Sequence, residues 1–217
     1  MITVYAFGNV VAPVRGITRD LRALWALEES GLPYRVHTLD DIRGELGTPE
    51  YARVSPFGLI PAIDDDGFKV FESGVIVFYI SDKAGKLLPK DIKGRALAMQ
   101  WAFAALNTME PDAVTIAAID KFFADQAWAR ERRPALSRSL EARLAVLGRA
   151  LTDRPYLLGD EFTVPDILMI SVLRFIQHTD LPGAVQNVAA YKSRCEDRPA
   201  WKKTFAAYEQ RLAGRTM

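Results

Sequence analysis

Apolar and polar positions alternate over Ile2–Phe7, and Gly8-Asn9 follows, which predicts a strand with Thr3, Tyr5 and Phe7 on one face. Leu21, Leu24, Trp25 and Glu28 then recur at helical spacing, and Gly31 ends that run. Tyr34–Leu39, opened by Pro33, predicts a second short strand, and residues 43–53 are mixed and weakly helical. Two short apolar runs, Ala62-Ile63 and Phe68–Phe71, flank Asp64-Asp65-Asp66-Gly67, the signature of a hairpin. Residues 73–83 carry Val75, Ile76, Phe78, Tyr79 and Ile80, dense enough for a buried helix. The order β-α-β-α-β-β-α predicts an α/β domain with a mixed four-stranded sheet.

After Gly85-Lys86-Leu87-Leu88-Pro89 the texture changes. Ala, Leu, Arg and Glu dominate, no strand pattern recurs, and helical periodicity runs through 94–122, 125–152, 164–178, 185–195 and 199–212. The reading is an α/β domain over 1–84, a linker over 85–92 and an all-α helical bundle over 93–217.

Composition narrows the function classes. The 217 residues carry 28 Lys+Arg against 27 Asp+Glu, so nothing favours a nucleic-acid or anionic-membrane partner. The single cysteine, Cys195, excludes an intramolecular disulfide and fits a buried structural thiol. His37 and His178 stand far apart with no ligand cluster beside them, so no metal site is expected. The chain lacks an 18-residue apolar run, and its start lacks the pattern of a signal peptide, so the expected location is the cytoplasm.

The segment from Ser55 to Gly74 carries the chemistry. Pro61 precedes a strand in which it could donate no ladder hydrogen bond, and composition alone favours a trans edge-strand proline. A cis Ile60–Pro61 bond would instead present the Ile60 backbone to an extended peptide ligand. Glu72 and Ser73 open the helix that follows. Ser73 is placed to act as N-cap, the helix N–H groups suit a carboxylate, and Glu72 suits an ammonium, so one helix start could hold both ends of an amino-acid zwitterion.

These motifs resemble those of the cytosolic glutathione transferase family. The thioredoxin-like domain of that family carries a Pro-x-Gly-x-x-Pro-Ala turn with a cis proline, here Pro56-Phe-Gly-Leu-Ile-Pro61-Ala62, and then Glu-Ser-x-x-Ile, here Glu72-Ser73-Gly-Val-Ile76. Ala26–Tyr34, Leu158–Asp166 and Arg198-Pro-Ala200 are similar to further family segments, so the likeness spans nearly the whole chain and suggests a bacterial-type member. Within Thr163-Val-Pro-Asp166 the residues themselves predict a capping box, a folding element rather than a catalytic one.

The resemblance implies that glutathione is a substrate, with its thiolate attacking a small hydrophobic electrophile. Ile60 and Pro61 would meet the cysteinyl part, Glu72 and Ser73 the γ-glutamyl end, and Arg15 the glycyl carboxylate. The electrophile pocket is placed around 99–122, where Met99, Trp101, Phe103, Met109 and Phe122-Phe123 cluster. A homodimer is implied as well, with Phe57 on compatible apolar surface. Disulfide reduction, peroxide reduction or non-catalytic glutathione binding are the alternatives on the same fold.

The family pattern breaks at the thiol activator. A hydroxyl or thiol near the end of the first strand or the start of the first helix would favour the thiolate, but the loop Gly8–Gly16 has no Ser or Cys. Tyr5, Thr18 and Asn9 remain as candidates, each with a competing role: core packing, N-capping and turn formation. Arg19 and Arg22 stand three residues apart at the helix start, where a guanidinium would also aid ionisation.

Overall fold

The computed structural model describes residues 1–213. Its first unit begins with β1 (Ile2–Phe7), α1 (Asp20–Ser30), β2 (Tyr34–Leu39), the short α2 (Pro49–Ala52), β3 (Ala62–Asp65), β4 (Phe68–Phe71) and α3 (Ser73–Ala84). The strands form one four-stranded sheet ordered β2-β1-β3-β4. β1 runs parallel to β2, with Ile2 opposite Tyr34, and antiparallel to β3, with Val4 opposite Ile63. This is the mixed sheet of the thioredoxin-like arrangement. The hairpin between β3 and β4 turns at Asp66-Gly67, both at positive φ, and the Asp64 carboxylate accepts the Gly67 N–H at 2.7 Å.

Strand alternation separates two faces. Ile2, Val4 and Ala6 are buried with Trp25, Leu27, Ile63, Ile76 and Ile80. Tyr5 and Phe7 pack on the opposite side in a smaller cluster of Leu39, Tyr51, Val54, Ile60 and Ala62. That second cluster lies under the turn that leads into Pro61.

The second unit spans Leu88–Arg198 and is helical: α4 (Ile92–Phe103), α5 (Glu110–Ala118), α6 (Ala127–Ala150), α7 (Val164–Phe175) and α8 (Gln186–Glu196). The single helix expected over 94–122 is interrupted by a wide π turn at Ala104–Met109. Pro111, just after it, has no N–H for the carbonyl four residues earlier, so the ladder must shift there. A second π turn, Ile119–Phe123, closes α5. In α7 every residue but Ser171 is buried, which makes it the centre of this unit. Thr163 and Asp166 form the expected capping box at its start. The Asp166 carboxylate also receives the Leu157 N–H at 2.9 Å and the Tyr191 hydroxyl at 2.8 Å, so four donors satisfy a fully buried acid. Burial pushes this carboxyl up, and those donors work against the shift.

The last helix, α9 (Pro199–Leu212), departs from the expected layout. Its periodicity placed it in the all-α domain ending at 217, yet it groups with the first unit by packing. The reason lies in its aromatic face. Trp201 packs against Trp25 of α1 with ring centroids 4.7 Å apart and the rings tilted at 53°, a contact that contributes about 0.5–1.5 kcal/mol beyond its buried area. Lys203 adds an ion pair to Glu28 at 2.7 Å.

Candidate functional site

The turn from Ser55 to Pro61 is held from beneath. The hydroxyls of Tyr51 and Ser55 both donate to the Leu59 carbonyl, at 2.8 and 2.9 Å, and the Leu59 N–H returns to Ser55 Oγ at 3.1 Å. Gly58 sits at φ +61°, where a Cβ would meet the Leu46 carbonyl oxygen at 2.9 Å, so a glycine is required. Ile60–Pro61 is cis, as the resemblance implied and composition alone did not. Ile60 and Pro61 are themselves buried, beside Tyr5 in the small cluster.

The start of α3 carries a local strain. Glu72 adopts φ 70° and ψ 111°, a region that costs a non-glycine residue about 1–3 kcal/mol. Its side chain is exposed, and its carbonyl accepts the Ile76 N–H at 2.9 Å. Here the N-cap expectation for Ser73 is corrected. Glu72 occupies the cap position, Ser73 is the first helical residue, and no side-chain cap bond forms. The Ser73 hydroxyl instead accepts from Arg22 Nη1 at 3.0 Å. Arg22 is only 1% exposed and Ser73 7%, so a buried guanidinium stands directly behind the helix start. With one lone pair taken by Arg22, the hydroxyl proton of Ser73 is left to donate elsewhere. The unsatisfied N–H groups of the first turn add to a positive potential that suits a carboxylate.

The candidate activators separate. Tyr5 is half-buried, its ring against His37 and Tyr51 at 5.1 and 5.6 Å. Burial and the nearby Asp64 raise its phenol, with Arg35 opposing, so Tyr5 keeps its proton at neutral pH and remains a hydrogen-bond donor. Thr18 lies in a different place: its Oγ1 is 3.1 Å from the hydroxyl oxygen of Tyr208 on α9. Arg15 is engaged by Glu209, its Nε meeting both carboxylate oxygens at 3.2 and 3.0 Å. Asn9 is partly buried in the loop, and Arg19 is exposed whereas Arg22 is buried. Cys195 is buried, and burial holds its thiol well above the ordinary range.

The sequence pattern puts Glu72 and Ser73 at the start of α3 and does not announce what stands behind them. Asp20 is fully buried and pairs with Arg211 at 2.7 Å; burial raises its carboxyl, opposed by Arg211, the Thr18 hydroxyl and the Phe7 and Asp20 amides. The partners on α9 are about 190 positions away along the chain, and no local spacing announces them. Among the described residues no group of three or more His, Cys, Asp or Glu side chains could hold a metal ion. No helix of the described residues is long and apolar enough to cross a membrane.

The model of the glutathione S-transferase N-terminal domain matches residues 13–82, and that of the C-terminal domain matches residues 95–199. This chain belongs to the glutathione S-transferase family. Glutathione S-transferase F11 of Arabidopsis thaliana is 31% identical over 203 residues, covering 86% of this chain and 93% of its own. Glutathione S-transferase F14 of the same plant is 30% identical over 199 residues, 84% of this chain and 77% of its own. A glutathione transferase from Burkholderia graminis, solved with two glutathione molecules bound per subunit, superposes with a TM-score of 0.84 at 27% identity. That alignment covers 95% of this chain and 88% of the other.

Proposed function

We propose that this glutathione transferase holds the γ-glutamyl end of glutathione at the start of α3. The Ser73 hydroxyl and the first N–H groups of α3 take the α-carboxylate, and Glu72 takes the α-ammonium. The observation that carries the reading is the Arg22–Ser73 contact beside the strained Glu72, a cationic, donor-rich helix start with an exposed anion next to it. Backbone groups of Ile60 would pair with the cysteinyl part, which sets the sulfur near the loop between β1 and α1. The thiol loses its proton to solvent, and the thiolate sulfur forms a bond to an electrophilic carbon as the leaving group departs. Tyr5 is the donor we favour for the thiolate, because it shares the Ile60 cluster and retains its proton.

Met99 and Phe103, one turn apart and exposed on α4, are the apolar surface we assign to the electrophile; Met109, expected beside them, is buried core. Arg15 would meet a glycyl carboxylate in exchange for its pairing with Glu209. The cytoplasm is the proposed location, detoxification the proposed role, and a homodimer the proposed assembly. Phe57 and Phe71 are exposed on the first unit with their rings 6.0 Å apart, apolar surface that a second copy would cover.

A second reading, glutathione-dependent disulfide reduction, draws on the Burkholderia relative that holds two glutathione molecules in one subunit. Two assays decide between them: conjugation of a chloronitrobenzene, and reduction of a glutathione mixed disulfide. Turnover of the first supports transfer; turnover of the second alone supports the reductase. Binding of glutathione without either would overturn both.

A further inference from the structure

Three side chains of α9 converge on residues 15–20, from the loop after β1 to the first residue of α1. Arg15 meets the Glu209 carboxylate through Nε and through Nη2 at 2.8 Å. The Gly16 N–H donates to the Tyr208 hydroxyl oxygen at 3.0 Å, and Thr18 Oγ1 lies 3.1 Å from that same oxygen. Arg211 Nη2 donates to the fully buried Asp20 at 2.7 Å. Residues 15, 16, 18 and 20 are thereby tied in turn to residues 209, 208, 208 and 211.

Tyr208 is fully buried, and its hydroxyl oxygen accepts both the Gly16 N–H and the Thr18 hydroxyl. Thr18 has a single hydroxyl proton, and this contact directs it into the protein, toward α9.

We infer that Thr18 is a positioning residue rather than the donor to the glutathione sulfur, and that Tyr208, through Thr18 and Gly16, makes the C-terminal helix the support of the site loop. The inference rests on the glutathione-binding reading above. It also explains how a loop without Ser or Cys is held in one arrangement, since its contacts come from the far end of the chain instead of its own hydroxyls.

The test uses the full chain with Tyr208→Phe, Thr18→Val and Thr18→Ser, assayed with glutathione and a chloronitrobenzene. The pKa of the bound thiol is followed by thiolate ultraviolet absorbance across pH. Tyr208→Phe and Thr18→Val should each raise KM for glutathione about three- to tenfold and leave the bound thiol pKa at the parental value. Together they should do no more than either alone, because each breaks the same chain of hydroxyls. Thr18→Ser, which keeps the hydroxyl, should restore the parental KM. A folded Tyr208→Phe with parental KM would overturn the positioning role. A rise of about one unit or more in thiol pKa confined to Thr18→Val would make Thr18 the donor and overturn the inference. Should Tyr208→Phe not fold, the contrast between Thr18→Val and Thr18→Ser on KM and thiol pKa still decides. Failure of the parent protein to bind glutathione would sink the reading of the site itself, a result separable from any effect of these variants.

Discussion

Removing the Ser73 hydroxyl gives the sharpest view of how the α3 start works. Ser73→Ala deletes two things at once: a donor aimed at the ligand carboxylate, and the acceptor for Arg22 Nη1 at 3.0 Å. The first loss acts on binding. A charge-assisted hydrogen bond contributes about 1.5–3 kcal/mol, which is roughly a ten- to hundredfold rise in Kd for glutathione. The second acts on folding. A buried guanidinium that loses a partner costs about 1–3 kcal/mol, or roughly 2–12 °C in Tm for a chain of this size. Because Ser73 is not the N-cap, no additional capping loss is expected. Calorimetry with glutathione, run well below the measured Tm, separates the two effects. Glutathione lacking the γ-glutamyl α-carboxylate should bind parent and variant alike, since the deleted donor has nothing to meet. Glu72→Gln should weaken glutathione while leaving Tm close to the parent, as its exposed side chain carries no packing. If a folded Ser73→Ala binds glutathione with the parental Kd, the carboxylate does not sit at this helix start and the reasoning fails.

Two further outcomes follow from the buried acids. Asp166→Ala leaves the Leu157 and Thr163 amides and the Thr163 and Tyr191 hydroxyls without their acceptor, and should cost about 3–5 kcal/mol in chemical denaturation while leaving KM for glutathione unchanged; a loss below about 1 kcal/mol would mean those donors find other partners. The Asp65 carboxyl is held below its ordinary value, first by the Lys83 ammonium and then by the Tyr79 hydroxyl at 2.5 Å. A depressed carboxyl stabilises the fold above its unfolded value of about 3.9 and loses that contribution as pH falls through the lower folded value. Asp65→Asn should therefore lower Tm at neutral pH and flatten its decline on acidification, and an unchanged pH profile would refute the assignment.

The periodicity of this chain was a good guide wherever an element buries one face. β1, α1, the β3–β4 hairpin and α3 all fall where alternation and helical spacing place them, because in each the core side is read directly from the order of residues. The same logic puts Glu72 and Ser73 at the start of α3 and Pro61 just ahead of β3, positions set by near neighbours. It failed where partners come from afar. Nothing around Ser73 signals Arg22, 51 positions earlier, and without that guanidinium a serine at a helix start reads as a cap. The resemblance offers Arg15 to a ligand carboxylate, and nothing near it in the chain signals Glu209, with which it pairs. α9 was legible as a helix while its packing was not, since an amphipathic pattern shows that a face is buried but not against what.

The central claim is the placement of glutathione, and a crystal structure of the complex tests it most directly. The account predicts the γ-glutamyl carboxylate within hydrogen-bond distance of Ser73 Oγ and the first N–H groups of α3, its ammonium at Glu72, and the sulfur past Ile60 toward Tyr5. Glutathione bound with its γ-glutamyl end away from Glu72 and Ser73 would contradict it.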